Sequence, residues 1–263
     1  MGLISYLFPV YCRICGASTS SSTEICEKCW EEIKENPPSS CSKCGDGPFT
    51  SGDENTSEIF ICSQCLKYSK SVDRISAYGK YEGTLKEAIH YFKYGRNIHT
   101  GKRLSFLILE AFKKGFSKEK IDLIIPVPLH YNRLRWREFN QSVILAEQIV
   151  QEYDIPIFFD VLVRKRKTIS QTNLRVSERM KNIKGAFKIK QKSKFKGYIH
   201  KIFKINEKSS EPIENIIENK RILLIDDVLT TGITTNECAK VLKENGAAFA
   251  GALTVAKTYH EII

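Results

Sequence analysis

A hydroxyl-rich turn that follows an acidic pair is the stretch of this sequence best suited to chemistry. Residues 222–235 read Ile-Leu-Leu-Ile-Asp-Asp-Val-Leu-Thr-Thr-Gly-Ile-Thr-Thr. A turn that opens a helix presents backbone N–H groups to an anion such as phosphate, and Gly232 lets the backbone approach it closely. The threonine hydroxyls add donors, and Asp226 and Asp227 could hold the vicinal hydroxyls of a sugar. The alternative is an Asp-Asp cap and a threonine-rich turn that only start a helix.

The elements around this turn are predicted from their apolar pattern. Four apolar residues at 222–225 favour a strand that is covered on both faces of a parallel sheet. Residues 236–245 favour a helix with Cys238, Val241 and Leu242 on one face, and Asn245-Gly246 is a helix stop. Open parallel sheets bind ligands at the carboxyl ends of their strands, which is where this turn should lie.

Eight of the nine cysteines form four Cys-x-x-Cys pairs in the first 65 residues. No secretory signal precedes them, so zinc is favoured over disulfides. Sequential pairing gives two structural sites without an open position, and an interleaved pairing is the alternative. The predicted ligands of the first zinc are Cys12, Cys15, Cys26 and Cys29, and those of the second are Cys41, Cys44, Cys62 and Cys65.

The stretch at 222–234 closely resembles the phosphoribosyl pyrophosphate (PRPP) signature of type I phosphoribosyltransferases. The resemblance implies that the acidic pair, Asp226 and Asp227, binds the ribose hydroxyls as the catalytic residues and that the turn cradles the 5′-phosphate. It also implies Mg²⁺ as a cofactor. The PRPP-binding residues implied in this way are Asp226, Asp227, Val228, Leu229, Thr230, Thr231, Gly232, Ile233, Thr234 and Thr235.

A second buried strand at 121–125 leads into Pro-Val-Pro-Leu-His at 126–130 and an arginine-rich loop. Arginine forks bind pyrophosphate oxygens, so Arg133 and Arg137 are the candidate pyrophosphate ligands. The proline block, the Arg-Leu-Arg segment and Phe-Asn-Gln at 139–141 resemble the ComF-like phosphoribosyltransferases, also called GntX-type proteins. Many members carry a cysteine-rich amino-terminal segment, and the resemblance implies a link to DNA uptake and natural transformation.

These patterns predict an α/β fold of the type I phosphoribosyltransferase kind, an open parallel sheet with helices on both faces. Residues 1–70 are predicted to form a double zinc ribbon, and residues 71–263 the phosphoribosyltransferase-like domain with an insertion near 188–219. Further strands are expected at 74–81, 157–164 (at the sheet edge) and 248–258. Further helices are expected at 84–94, 104–116 and from about 142 to 153.

The net charge of +11 suits phosphorylated ligands, nucleic acid or membrane surfaces, and does not choose among them. No apolar run reaches the roughly 18 residues of a membrane span, and we expect a cytoplasmic protein without membrane insertion. The lysine-rich insertion contains Phe195, Tyr198 and Phe203, which could stack single-stranded bases, although such a segment is more often a variable surface insertion.

The sequence therefore predicts a PRPP-binding protein with Mg²⁺-dependent phosphoribosyl transfer and pyrophosphate release, if it is an enzyme. The acceptor cannot be identified from the sequence. Two alternatives stay open: a non-catalytic competence factor that binds single-stranded DNA, and a PRPP-sensing regulator. Single-stranded DNA and other DNA-uptake proteins are accordingly possible partners.

Overall fold

The computed structural model describes residues 10–19, 24–36, 41, 43–45, 61–62, 65, 71–129, 134–136, 139–159, 161–165, 178, 182–190 and 213–259. The described residues form both β-strands and α-helices. In chain order they are β1 (Val10–Tyr11), β2 (Ser18–Thr19), α1 (Glu27–Glu31), β3 (Arg74–Lys80), α2 (Gly83–Tyr94), α3 (Ile98–Phe116), β4 (Leu123–Pro126), α4 (Gln141–Tyr153), β5 (Leu162–Arg164), β6 (Phe187–Ile189), α5 (Ile213–Ile217), β7 (Arg221–Leu229), α6 (Ile233–Glu244) and β8 (Phe249–Lys257).

A four-stranded parallel sheet in the order β3-β8-β7-β4 forms the centre of the described chain. Every residue of β8 is buried, as expected for a central strand that is covered on both faces. On one face, Leu223 and Ile225 of β7 pack in the core formed with α2, α3 and α4. On the other face, Ile222 and Leu224 pack with α6 and the two-stranded β5–β6 sheet. The predicted α/β fold with helices on both faces is confirmed.

Strand β7 extends further than the apolar run alone predicts. It continues to Leu229, with Asp226 in register with Thr254 of β8 and Val228 in register with Ala256. Helix α6 follows after only three residues and begins at Ile233, not near Asn236. The acidic pair therefore lies within the paired strand, shortly before its end, because the parallel ladder to β8 holds this polar segment extended.

Two other predictions of element bounds are corrected. Helix α3 begins at Ile98 rather than Leu104, because the side chain of Asn97 accepts a hydrogen bond from the Thr100 amide and caps the helix. The predicted edge strand at 157–164 is not continuous. Ile157 makes a single parallel bridge to Ile124, whereas β5 pairs antiparallel with β6 in a separate two-stranded sheet.

The amino-terminal ribbons cover the exposed edge of strand β3. The Asn36 amide donates to the Tyr78 carbonyl at 2.6 Å, and the Ile75 amide donates to the Lys43 carbonyl at 2.9 Å. The Asn36 side chain adds a bond to the Ala77 carbonyl at 3.2 Å. Uncovered edge strands invite pairing with other chains, so the ribbons also protect the sheet.

Candidate functional site: an acidic pair at the carboxyl edge of the sheet

The two carboxylates of the acidic pair leave β7 on opposite faces, because side chains alternate along a strand. Asp226 follows Leu224 on the face of α6, and Asp227 follows Ile225 on the face of α2. Asp227 is the more buried of the two, at 8% exposure. Cys238 of α6 reflects this geometry: burial raises the pKa of its thiol well above the ordinary value, and the Asp226 charge raises it further. Only a ligand near the end of the strand can contact both carboxylates.

The turn after β7 has the backbone geometry of an anion cradle. Gly232 adopts φ 69° and ψ 2°, in the left-handed region, and it stands at the N-cap of α6 without a side chain to cap the helix. Thr230, Thr231 and Thr234 are half-buried around it. Thr235 differs, because it is only 3% exposed and lies within the helix packing. Of the four predicted threonines, three are therefore accessible to a ligand.

A lysine that the sequence analysis did not single out completes the charge distribution. Lys93, in the last turn of α2, places its Nζ 2.8 Å from Oδ1 of Asp227, and the two side chains are 16% and 12% exposed. Burial alone would lower the pKa of Lys93, but the carboxylates of Asp227 and Asp226 outweigh it, so the pKa lies above its ordinary value. Lys93 is therefore a protonated counter-ion at the carboxyl edge.

An exposed group of aromatic and basic side chains lies at the end of α2 and in the segment after β4. Tyr94 is 50% exposed and Trp136 is 48% exposed, and their ring centroids are 6.0 Å apart. The Arg96 guanidinium lies 5.3 Å from the centroid of the Trp136 ring, and the ring centroids of His90 and Tyr94 are 4.4 Å apart. The predicted pyrophosphate ligands Arg133 and Arg137 lie outside the described residues, as do Phe195, Tyr198 and Phe203.

The structure groups the eight paired cysteines sequentially rather than in the interleaved alternative. In each group the four Sγ atoms lie within 4.8 Å of one another. Three of the distances are Cys12–Cys29 at 3.8 Å, Cys15–Cys26 at 3.6 Å and Cys44–Cys62 at 3.7 Å. A tetrahedral zinc with Zn–S bonds of about 2.3 Å would place its sulfurs about 3.8 Å apart, so both groups fit structural zinc.

Backbone amides prepare these tetrads for a cation. The Cys26 amide donates to Cys12 Sγ at 3.4 Å, and the Cys62 amide donates to Cys41 Sγ at 3.3 Å. Burial would raise the pKa of Cys12 and of Cys41, but such amide bonds outweigh it and lower each pKa to about 6. Thiolates are the form that binds zinc.

The second tetrad is connected to the end of the central sheet. Lys257, the last residue of β8, is 4% exposed and donates to the carbonyl of Cys44. Lys257 is also in register with Leu229, immediately before the turn that leads into α6. The Ser71 amide donates to the side chain of Asn236 in the first turns of α6 at 2.7 Å. Two contacts thus connect the second ribbon and the segment that follows it to the elements on either side of the turn: one through Lys257 of β8 and one through Asn236 of α6.

Within the described part of the chain, no helix combines the length and apolar character that a membrane span needs. A double zinc ribbon domain family matches residues 3–66, and a phosphoribosyl transferase domain family matches residues 140–261.

Relatives resemble the chain over most of its length. Competence protein F of Haemophilus influenzae is 29% identical over 90% of this chain and 91% of its own. DNA utilization protein YhgH of Escherichia coli K12 is 25% identical over 90% and 86%. Among solved structures, glutamine PRPP amidotransferase from B. subtilis, in complex with ADP and GMP, overlaps 64% of this chain and 30% of its own, with 17% identity and a TM-score of 0.36. The chain is thus a homologue of competence protein F and YhgH, and along it a match to a double zinc ribbon domain precedes a match to a phosphoribosyl transferase domain.

Proposed function

We propose that this protein binds PRPP at the carboxyl edge of its sheet and transfers the phosphoribosyl group to a nucleophile, with release of pyrophosphate. The observation that carries the proposal is the placement of Asp226 and Asp227 in the last residues of β7, shortly before the glycine turn that caps α6. In the proposed division of the chain, residues 1–70 are the zinc ribbons and residues 71–263 the phosphoribosyltransferase-like domain.

In this mechanism the protein positions charges and does not form a covalent intermediate. Asp226 and Asp227 hold the ribose hydroxyls, and the turn from Thr230 to Thr234 receives the 5′-phosphate through N–H and hydroxyl donors. The bond between C1 and the pyrophosphate oxygen breaks, its electron pair leaves with pyrophosphate, and a nucleophile bonds to C1. Arg133 and Arg137 are proposed to contact the leaving group.

The donor set also fits Mg²⁺, because carboxylates and the oxygens of PRPP are hard ligands. Asp226 and Asp227 would hold the ion together with oxygens of PRPP. It would supply positive charge to the leaving group when bound. The residues of the chain itself bind the sugar, orient it and exclude water.

The test of the site is ligand-induced stabilisation. At a PRPP concentration of about 100 times Kd, with Mg²⁺ present, the free energy of unfolding should rise by about 2.7 kcal/mol. The variant D226A/D227A should lose this gain while keeping its fold. The matched control is E218A/E244A, which removes two exposed carboxylates, one that precedes β7 and one at the end of α6 remote from the turn. An equal gain in D226A/D227A and wild type would contradict the proposal.

Catalysis is tested separately, by pyrophosphate release from PRPP across a panel of nitrogen nucleophiles. Release that depends on one nucleophile and is lost in D226A/D227A supports transfer. Binding of PRPP without release for any nucleophile favours the PRPP-sensing regulator instead.

A second candidate function, binding of single-stranded DNA, is favoured by the exposed side chains of Tyr94, Arg96 and Trp136. Aromatic rings beside an arginine form a stacking surface for bases, worth about 1–3 kcal/mol per base. The relatives named for competence and DNA utilization agree with this candidate. We expect Y94A/W136A to weaken oligonucleotide binding in fluorescence anisotropy at physiological salt, whereas contacts to phosphate alone would change mainly the salt slope, by about 0.7 per contact.

Heparin separates stacking from simple charge attraction. If heparin displaces the oligonucleotide fully and Y94A/W136A binds like wild type, the protein attracts any polyanion through its net charge of +11. The insertion residues Phe195, Tyr198 and Phe203 are replaced by alanine in a separate variant, so that the two aromatic groups are compared directly.

A further inference from the structure

Lys93 brings a buried positive charge to the candidate site from a part of the chain that neither family match includes. The matches cover residues 3–66 and 140–261. Helix α2 delivers Lys93 because Leu85, Ala88, Ile89 and Phe92 anchor its apolar face in the core. The lysine follows this apolar face in the last helical turn, where a cation also interacts favourably with the helix dipole.

The Lys93–Asp227 pair is poorly explained as a device for stability. A buried ion pair usually contributes little more than apolar residues of the same size, because both ions lose hydration. This pair lies instead at the carboxyl edge of the sheet, where parallel sheets bind ligands. The titratable neighbours whose charges act on Lys93 are Tyr81 from the end of β3 and the two aspartates of β7. The pair therefore consists of one ammonium and one carboxylate, and the charge of the second carboxylate, Asp226, also acts on the ammonium.

We propose that Lys93 is a positioning residue, which holds the Asp227 carboxylate in place and oriented toward the ribose hydroxyls of PRPP. The inference rests on the proposed function and adds to it a residue from outside the PRPP signature. The 2.8 Å contact fixes one oxygen of Asp227 and leaves the other oxygen to accept from a sugar hydroxyl. Without Lys93, the Asp227 carboxylate would lose the contact that fixes one of its oxygens, and its orientation toward the sugar would no longer be held.

Three ligands separate this role from others: PRPP, ribose 5-phosphate and pyrophosphate. We measure the affinity of each by isothermal titration calorimetry at constant Mg²⁺. K93M should weaken the binding of PRPP and of ribose 5-phosphate by roughly 10- to 100-fold, which is the range expected when an interaction with a charged group is lost. The affinity for pyrophosphate should be nearly unchanged. K93R keeps the charge and should restore most of the affinity. K86M, an exposed lysine on the same helix, is the matched control and should bind like wild type.

A double-mutant cycle tests whether Lys93 acts through Asp227. D227N should weaken both ribose ligands, and K93M/D227N should be no weaker than D227N alone. Losses that add in full would overturn the inference, as would a loss confined to pyrophosphate or a K93M that binds like wild type. If K93M fails to fold, K93M/D227N removes both charges together, and its comparison with D227N and K93R decides the question. A wild-type protein that binds none of the three ligands would overturn the proposed function and this inference together.

Discussion

Emptying the second cysteine tetrad should weaken PRPP binding, because Lys257 at the carboxyl end of strand β8 connects this tetrad to the edge of the sheet that carries the candidate site. The perturbation is Cys62→Ser, which removes a half-buried ligand whose sulfur lies 3.7 Å from that of Cys44. With fewer thiolates the ribbon loses its metal and its fold, because such small ribbons depend on zinc for stability. The carbonyl of Cys44 then no longer receives Lys257, and Ser71 no longer holds Asn236.

The size of the effect follows from these two contacts. Lys257 is 4% exposed, so the loss of its carbonyl partner removes a buried hydrogen bond from a charged donor, worth about 1.5–3 kcal/mol. The bond from Ser71 to Asn236 is uncharged and worth about 0.5–1.5 kcal/mol. The two together set an upper limit of about 2–4.5 kcal/mol. Because only part of this energy reaches the turn, we expect PRPP affinity to fall about 5- to 150-fold, the usual range for coupled sites.

Calorimetry with PRPP measures this coupling, and metal analysis shows that C62S has lost one zinc. K257M tests the route, because it removes the contact with Cys44 while both tetrads stay intact. K257M should lower the affinity for PRPP when it is introduced into the wild-type protein. It should lower that affinity little further when it is introduced into C62S. The matched control is K243M: Lys243 also donates to a backbone carbonyl, that of Ala248, but at the amino-terminal end of β8. A C62S protein that holds one zinc and binds PRPP as wild type does would refute the coupling.

The other expectations concern metal content and acid stability. Protein purified without added zinc should contain close to two zinc ions per chain by elemental analysis, and a metal-free protein with disulfides would contradict the tetrads. The carboxyl of Glu24 accepts from Tyr91 and Arg13, which lower its pKa below the ordinary value of 4.5. A carboxyl with a lowered pKa stabilises the fold above its unfolded pKa and loses this contribution as the pH falls through the folded pKa. The difference in urea midpoint between wild type and Y91F should therefore be largest near pH 7 and should shrink below about pH 4.5. A difference that does not change with pH would show that Tyr91 acts through packing alone.

Local chemistry explains which parts of the site can be predicted from the sequence. The tetrads follow from pairs of cysteines three residues apart, which must lie close together in any fold. The strand and turn around Asp226 and Gly232 are predicted for a similar reason, because an apolar run, an acidic pair and a glycine turn are contiguous. The cap at Asn97 is also a local signal, and applying the N-cap rule there would have given the correct start of helix α3.

Contacts between distant elements explain what the sequence does not predict. Lys93 lies beside the apolar face of an ordinary amphipathic helix, and its ion-pair partner Asp227 comes from a strand much later in the chain. Tyr94 and Trp136 likewise come together only in the folded protein. The sequence predicts one edge strand over residues 157–164, which include Leu162 to Arg164. They pair with β6 instead, since pairing partners depend on topology and not on local pattern.

Asp226 and Asp227 lie on opposite faces of the sheet, and the core on each face includes residues of one zinc ribbon. Cys12, Cys29 and Trp30 of the first ribbon belong to the core on the Asp227 side of the sheet, together with the helix that carries Lys93. Cys41, Cys44 and Cys65 of the second ribbon belong to the core on the Asp226 side, together with α6. A ribose held by both carboxylates would therefore contact a strand whose two faces belong to two cores, each of which includes residues of one ribbon. Because packed cores transmit small displacements, metal loss in either ribbon should reach the sugar site through a different carboxylate.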